Sequence, residues 1–381
     1  MNAYSLGDLI RYFLWLGTTG FGGPIALCGA MQRDLVEGRR WVSKEDYAEG
    51  LALAQLAPGP LAAQLAIYLG WVKGGTFGAT LVGLAFVLPS FLMVLVLSAF
   101  YVHFGGLPGM QALFYGIGAA VIGIIVRSAY KLAISTVGQH RLLWAVFTVS
   151  ALITAVTETE YLGVFLVAGL LSLAVTGGPP APKPAMAAAI FPWPFLLAGL
   201  RGPADPGILA TIAWFFTKAG AFVFGSGLAI VPFLHGGVVN ELHWLDERQF
   251  LDAVAVAMIT PGPVVITVAF IGYLVAGPLG ATVAAIAVFF PCWLFTVIPA
   301  PHFRKYGKNR RIKAFVDGVT AAASGAIAGS AYVLGRRAII DVPTALIAVA
   351  TVLVLVYRKQ VPEPVIIGVA GLIGVAVSLA G

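Results

Sequence analysis

Charged residues are scarce in this sequence: they make up 10% of the 381 residues, while 60% are hydrophobic. Soluble domains carry about 25% charged residues, so this composition excludes an ordinary soluble enzyme. Residues 78–100 contain no charge at all, and about 20 apolar residues are enough to span a bilayer. Several such stretches follow one another along the chain. The sequence therefore predicts an integral, multi-pass membrane protein with the lipid bilayer as its environment.

Cysteine is almost absent, since Cys28 and Cys292 are the only two. Both lie in apolar segments without a nearby thiol or histidine, so we expect neither a disulfide nor a metal site. The sequence also lacks a His-Glu-x-x-His helix, a Gly-x-Gly-x-x-Gly turn and a phosphate-binding lysine loop. We therefore expect no cofactor and no enzymatic activity, and any transport would be driven by an ion gradient or by the membrane potential.

The net charge of +7 comes from basic residues in short loops between apolar stretches. Such residues are topology signals, so we do not expect nucleic acid as a partner. The N-terminus lacks the basic region and the cleavage site of a signal peptide. We expect it to form part of the first membrane segment.

An internal repeat is the strongest pattern in the sequence. At an offset of 203 residues, Pro58-Gly59-Pro60 matches Pro261-Gly262-Pro263, and the same register pairs Phe13 with Phe216, Phe21-Gly22 with Phe224-Gly225 and Trp41 with Trp244. After a one-residue deletion the offset becomes 202, and Pro89 matches Pro291. Residues 177–207 are rich in proline and glycine, which is typical of a linker. We therefore predict two membrane repeats, 1–176 and 208–381, joined by this linker.

The loop charges indicate that the two repeats have opposite orientations, because Lys and Arg in short loops mark the cytoplasmic side. The loop 234–252 has one basic residue, Arg248, and its equivalent in the first repeat has four: Arg33, Arg39, Arg40 and Lys44. The loop 101–112 has none, and its equivalent in the second repeat has six: Arg304, Lys305, Lys308, Arg310, Arg311 and Lys313. Loops of matched sequence thus prefer opposite sides of the membrane.

This orientation requires an odd number of crossings between residues 44 and 101, although two apolar stretches lie there. Pro58-Gly59-Pro60 removes two amide donors near the middle of the first stretch, which we interpret as a re-entrant hairpin with this tripeptide at its tip. Pro261-Gly262-Pro263 predicts a second hairpin. The predicted crossings are 8–30, 78–100, 113–133, 142–157, 161–176, 208–233, 280–300, 314–334, 342–357 and 364–380. The predicted fold is an all-α polytopic membrane protein with two inverted-topology repeats, each with about five crossing helices and one re-entrant Pro-Gly-Pro hairpin.

Interrupted helices near the midplane of inverted repeats indicate the substrate site of a transporter. The start of a helix presents free N–H groups and the positive end of the peptide dipoles, which suits a dianionic, tetrahedral oxyanion. The glycine breaks, the two Pro-Gly-Pro segments and nearby polar residues are the candidate substrate-binding residues: Gly22, Gly23, Pro24, Gln55, Pro58, Gly59, Pro60, Gln64, Gly225, Ser226, Gly227, Thr260, Pro261, Gly262, Pro263 and Thr267. The alternative is that these glycines and prolines only permit kinks and close helix packing.

Lys218 is a further candidate for substrate binding, because it is the one basic residue deep in the apolar stretch 208–234. The alternative is that its long side chain reaches the membrane interface. Ser226 lies between two glycines, which permits a third hypothesis, an intramembrane hydrolase. No histidine at membrane depth stands out as a base for that reaction.

Motifs in both halves resemble those of the chromate ion transporter family. The N-terminal motifs are Phe21-Gly22-Gly23-Pro24, Trp41-Val42-Ser43 and Gln55-Leu56-Ala57-Pro58-Gly59-Pro60. The C-terminal motifs are Phe224-Gly225-Ser226-Gly227, Trp244-Leu245-Asp246 and Pro261-Gly262-Pro263. The chain is similar to the long, two-domain form of that family. The resemblance implies that chromate is expelled from the cytoplasm and that sulfate is its physiological look-alike.

Three matters stay open at the level of sequence. Chromate and sulfate are both tetrahedral dianions, so uptake of sulfate or of another oxyanion is an alternative to chromate efflux. A non-transporting sensor or assembly module could keep the same fold. The oligomeric state is undetermined, with a homodimer as one option, and the expected location is the plasma (inner) membrane.

Overall fold

The structure is a computed structural model that describes residues 3–21, 23–104, 108–138, 140–157, 162–176, 205–222, 224–225, 230–303, 310–358 and 361–380. The helices of the first half are α1 (Leu6–Thr19), α2 (Gly23–Met31), α3 (Lys44–Leu56), α4 (Leu61–Phe104), α5 (Pro108–Val137), α6 (Arg141–Thr157) and α7 (Leu162–Thr176). Those of the second half are α8 (Pro206–Phe222), α9 (Ile230–His235), α10 (Glu247–Ile259), α11 (Thr267–Val297), α12 (Arg310–Ala338), α13 (Val342–Tyr357) and α14 (Glu363–Ala380). The described part also has two short strands, β1 (Gly59–Pro60) and β2 (Phe224–Gly225), and short π-helical or 3-10 turns at Gln32–Gly38, Gly236–Glu241, Val264–Ile266 and Ala300–His302. The prediction of an essentially all-α protein is confirmed.

Polar caps begin several of these helices. The side chain of Ser5 accepts a hydrogen bond from the backbone N–H of Asp8 at the start of α1 (3.1 Å). Asp246 does the same for Gln249 at the start of α10 (2.8 Å). These caps satisfy N–H groups that have no partner within the helix, so polar residues between apolar stretches set where the helices begin.

Four helical segments are long and apolar enough to cross a membrane: 61–104, 109–131, 264–302 and 313–338. Shorter apolar helices occupy 141–157, 163–176, 342–357 and 363–379. A stripe of large apolar side chains, each 45% to 59% exposed, runs along α4 at every fourth residue: Leu84, Leu88, Leu92, Val96 and Phe100. Residues with this spacing share one helix face, and an exposed face of this kind fits a lipid environment. The chain is therefore a multi-pass membrane protein.

The long helix α4 folds back on itself at Gly74 and Gly75. Gly75 has a φ of 58°, and a Cβ added to Gly70 would lie 2.5 Å from the carbonyl oxygen of Gly78. Eight residues of straight helix would separate those positions by about 12 Å. The segment therefore consists of two arms, 61–73 and 76–104, that pack against each other.

Helix α11 repeats this reversal at the equivalent place. Gly277 has a φ of 62°, and a Cβ on Gly272 would lie 2.3 Å from the carbonyl oxygen of Gly280. Its arms are 267–275 and 278–297. In both helices the first arm is buried: every residue of 61–70 and of 260–272 is covered by protein.

The loops before α3 and α10 also share their backbone geometry. Arg40 and His243 are the non-glycine residues with positive φ in the described chain, at 55° and 49°, and they are related by the offset of 203. The residue after each is a tryptophan, whose N–H bonds a carbonyl oxygen six residues earlier, Trp41 to Leu35 and Trp244 to Val238, both at 2.8 Å. Matched sequence positions thus have matched local structure.

The last two helices of each half pack on a long helix of the other half. Helices α6 and α7 pack on α12, while α13 and α14 pack on α5. Small residues permit these contacts, because a Cβ on Gly116 would lie 1.9 Å from the carbonyl oxygen of Ala370, and one on Gly318 would lie 2.4 Å from that of Ala168. The two halves therefore form one interlocked body around the buried first arms.

Candidate functional site

The tip of each Pro-Gly-Pro hairpin lies against the glycine break of the other half. Strand β1 pairs in parallel with β2, with Gly59 opposite Phe224 and Pro60 opposite Gly225. On the other side, the backbone N–H of Gly262 donates a hydrogen bond to the carbonyl oxygen of Gly20 (2.9 Å). The structure thus brings together the four interruptions that the sequence analysis singled out.

The central residue of each tip requires glycine. Gly59 has a φ of 140° and Gly262 has a φ of 100°, a region that residues with a Cβ rarely adopt. A Cβ on Gly262 would also lie 2.0 Å from the Ser90 hydroxyl oxygen, and one on Gly59 would lie 2.7 Å from the Gln64 amide nitrogen. Both the backbone conformation and the close packing therefore exclude a side chain at the tips.

Ser90 and Cys292 are tip contacts that the sequence analysis missed. The fully buried hydroxyl of Ser90 donates a hydrogen bond to the carbonyl oxygen of Pro261 (2.7 Å). Cys292, also fully buried, reaches the opposite tip, since a Cβ on Gly59 would lie 3.2 Å from its sulfur. The two residues are equivalent at the offset of 202. Extending the Pro89 and Pro291 match by one residue would have found them.

Gln64 is the polar side chain closest to the first tip. It is fully buried, and its Nε2 donates a hydrogen bond to the carbonyl oxygen of Pro58 (2.8 Å). Its Oε1 atom is buried and has no hydrogen-bond partner within the described residues. A buried polar atom without a partner costs about 1–3 kcal/mol, so this acceptor does not contribute to stability.

The two predicted threonines both form local hydrogen bonds, unlike Gln64 Oε1. The hydroxyl of Thr260 donates to the carbonyl oxygen of Val256 (2.6 Å), and that of Thr267 donates to Val264 (2.8 Å). Both bonds stay within one helix or turn, which is the usual behaviour of a buried threonine. The side chains of Thr260 and Thr267 therefore have local partners, unlike the Gln64 side chain.

Three helix starts meet at a small cavity between the halves. Pro24 is the second residue of α2, Ala62 is the second residue of α4, and Val264 begins the turn that leads into α11. The lining residues are Pro24, Leu27, Pro60, Ala62, Gly262, Pro263 and Val264. The cavity volume is about 10 Å³, close to the minimum for one water molecule. The starts of three helical segments, which carry the positive ends of the peptide dipoles, thus border one small cavity.

The remaining predicted residues are less tightly grouped. Gln55 is exposed on α3, Gly23 begins α2, and Gly225 lies in β2. The ammonium group of Lys218 lies 5.6 Å from the ring of Trp214, an indole that is 66% exposed, and Lys218 does not line the cavity. Three predicted residues lie outside the described part of the chain: Gly22, Ser226 and Gly227.

A larger cavity lies beside the first hairpin. Its volume is about 300 Å³, and its lining residues are Asp46, Glu49, Tyr68, Trp71, Val72, Ala300 and Pro301. The two carboxylates make this cavity unsuitable as the resting site of an anion, because like charges repel. It lies between the first hairpin and the end of α11.

Comparison with known proteins identifies the family. The sequence model of the chromate transporter family matches residues 7–175 and 210–375. The chain is 60% identical to the "Chromate transport protein" of Cupriavidus metallidurans over 97% of this chain and 93% of that protein. It is 58% identical to the "Probable chromate transport protein" of Synechococcus elongatus, over 98% and 96% of the two chains. A "Chromate transport protein" of Pseudomonas aeruginosa is 31% identical over 97% and 92%.

No solved structure matches the chain. The family match covers both halves, and the curated relatives match nearly the full length of the chain. The resemblance that the Phe-Gly and Pro-Gly-Pro motifs indicated is therefore confirmed, and these relatives are named as transport proteins. The chain belongs to the chromate transporter family.

Proposed function

We propose that this chain is a secondary active transporter of inorganic oxyanions that moves chromate out of the cytoplasm across the plasma (inner) membrane. Sulfate, as a tetrahedral dianion, is the look-alike substrate. The observation that supports this function best is the convergence of three helix starts from opposite halves on one buried cavity. Backbone N–H groups at helix starts bind oxyanions without burying a full opposite charge.

The two halves act as inverted repeats, 1–176 and 208–381, in this proposal. The matched reversals in α4 and α11 and the matched positive φ values of Arg40 and His243 support the repeat. The loop charges support the opposite orientations. Helices α3 and α10, together with the first arms of α4 and α11, form two re-entrant hairpins. Residues 61–70 and 260–272, which include both tips or adjoin them, are buried, as irregular backbone at membrane depth requires.

In an alternating-access cycle, which we propose for this chain, this structure would correspond to a closed state. A tetrahedral oxyanion has five heavy atoms, whereas the central cavity has room for about one water molecule. The anion therefore enters only after one hairpin tip moves away from the opposite half. The Ser90 contact with Pro261 and the Cys292 contact with Gly59 are the packing that such a movement would break.

Flux measurements in proteoliposomes test this function. We expect radiolabelled chromate to move at least about tenfold faster than in protein-free liposomes, with competition by sulfate and molybdate because both are tetrahedral dianions. In inside-out vesicles, chromate should accumulate, which distinguishes efflux from uptake. Well-folded protein that moves neither chromate nor sulfate would instead favour the sensor or assembly module.

A further inference from the structure

Two acidic residues occupy equivalent positions in the two hairpins. Asp252 lies in the middle of α10 and Glu49 in the middle of α3, and they are related by the offset of 203 that aligns the Pro-Gly-Pro tips. Most acidic residues of this chain lie in loops or near helix ends. Glu49 and Asp252 are therefore unusual in lying within the hairpin arms, and their equivalent positions indicate a role that is common to both halves.

Asp252 is buried with a single uncharged partner. It is 3% exposed, and its Oδ2 accepts a hydrogen bond from the hydroxyl of Tyr101 near the end of α4 (2.7 Å). The charged groups that act on it are Arg248 and Asp246, at the start of α10 itself. In the described chain, the helices that pack on α10, namely α4, α5, α11 and α14, form no salt bridge with Asp252.

Glu49 has a different environment in this structure. It is half-buried and lines the cavity of about 300 Å³ beside the first hairpin. One carboxylate of the matched pair thus lines a cavity with room for several water molecules, while its counterpart is buried in protein. Groups that carry a proton across a membrane must have access to water at one stage of the cycle and be shielded at another.

We propose that Asp252 and Glu49 are the proton-binding groups that couple oxyanion transport to proton movement. This inference rests on the proposed transport function. Each carboxylate takes up one proton to become a carboxylic acid and releases it when its surroundings open to the other side. A buried charge without a cationic partner is costly, whereas the Tyr101 hydroxyl stabilises the charged form, so both protonation states are accessible. Protons move into the cytoplasm in exchange for chromate, so the proton gradient drives chromate export.

Net transport and exchange separate the coupling step from anion binding. Exchange of labelled for unlabelled chromate across a liposome membrane needs no net proton movement, whereas net transport does. In the Asp252→Asn variant, we expect the ratio of net transport to exchange to fall at least about tenfold. Glu49→Gln should lower the same ratio. A pH-sensitive dye inside the liposomes should report proton movement with wild-type net transport and much less with either variant.

Asp341→Asn is the matched control. Asp341 caps α13, and asparagine is an equally good cap. Hydrogen bonds from Tyr115 and, to a smaller extent, from Thr344 hold the pKa of Asp341 below its usual range. This carboxylate therefore stays charged. The ratio of net transport to exchange should be unchanged in this variant.

Tyr101→Phe tests the proposal without removing a carboxylate. Loss of the hydroxyl removes a hydrogen bond that favours the charged form of Asp252. The pH at which net transport is half-maximal should therefore rise by about one unit. Wild-type chromate flux without any proton movement, or unchanged pH profiles and ratios in the three variants, would overturn the coupling proposal. Wild-type protein with neither net transport nor exchange would instead overturn the transport function itself.

Discussion

Replacing Gly262 by alanine should reduce chromate flux by about 100-fold, which corresponds to about 3 kcal/mol. Gly262 has a φ of 100°, and an alanine in such a region costs about 1–3 kcal/mol. The new methyl group would also lie 2.0 Å from the Ser90 oxygen. Ser90 would have to move and lose its bond to Pro261, which would displace the tip from the cavity. Labelled chromate flux in liposomes measures the effect.

Gly75→Ala is the control for this substitution. Gly75 has a φ of 58°, and an added Cβ would meet nothing within 4 Å. This variant therefore carries backbone strain without a clash at a tip, and we expect flux close to that of the wild type. Adding Ser90→Ala to Gly262→Ala removes the nearest clashing atom and should restore part of the flux. Gly262→Ala protein with wild-type flux would contradict a role of the tip in transport.

Replacing Gln64 by leucine should stabilise the protein and yet impair transport. Leucine has a similar size and no polar atoms, so the buried Oε1 atom without a partner disappears. The gain is up to about 1 kcal/mol, because the bond to Pro58 is lost together with the unsatisfied acceptor. We expect chromate flux to fall at least about tenfold, because the variant loses the hydrogen bond from Gln64 to the tip at Pro58. Thermal unfolding in detergent and flux in liposomes measure the two effects.

The equivalent residue of the second half provides a control for Gln64. Thr267 is related to Gln64 by the offset of 203, and its hydroxyl bonds Val264. Thr267→Val therefore removes a local hydrogen bond and should change flux much less than Gln64→Leu. A Gln64→Leu variant that is less stable and transports normally would show that Gln64 is only a packing residue.

The sequence predicted the chain segments that meet at the candidate site, because backbone breaks are encoded locally. Pro58-Gly59-Pro60 and Pro261-Gly262-Pro263 cannot continue a helix whatever surrounds them. Their shared register also predicted that the two tips are equivalent. The sequence could not predict that each tip packs on the opposite half, since this contact depends on the arrangement of the whole bundle.

Side-chain environments were much harder to predict. Ser90 and Cys292 occur in uniformly apolar helices, and only their distant contacts with the tips distinguish them from other small buried residues. Lys218 stays a prediction: its position in an apolar stretch suggested a site, and its ammonium group lies near the ring of the exposed Trp214. The sequence predicts how far along a membrane helix a residue lies. It does not determine whether the side chain faces the protein core or the lipid.

Two tight reversals divide the longest helical stretches into two arms each, in agreement with the predicted crossings 78–100 and 280–300. Residues 61–104 would make a helix far longer than one membrane crossing, which needs about 20 residues. Gly74 and Gly75 turn the chain back, so only the second arm has the length and the exposed apolar stripe of a spanning helix. Lys73 marks this turn in the sequence, and Ala276-Gly277 repeats it without a charge.

The position of bound chromate tests the central claim most directly. A structure of the protein saturated with chromate should show one tetrahedral anion between the two hairpin tips, near Pro24, Pro60 and Gly262, in a cavity larger than the closed one. Backbone N–H groups at the starts of α2, α4 and α11 should lie within hydrogen-bond distance of its oxygens. Chromate bound only in the cavity beside Asp46 and Glu49, or only at basic loops, would contradict a shared site formed by the two tips.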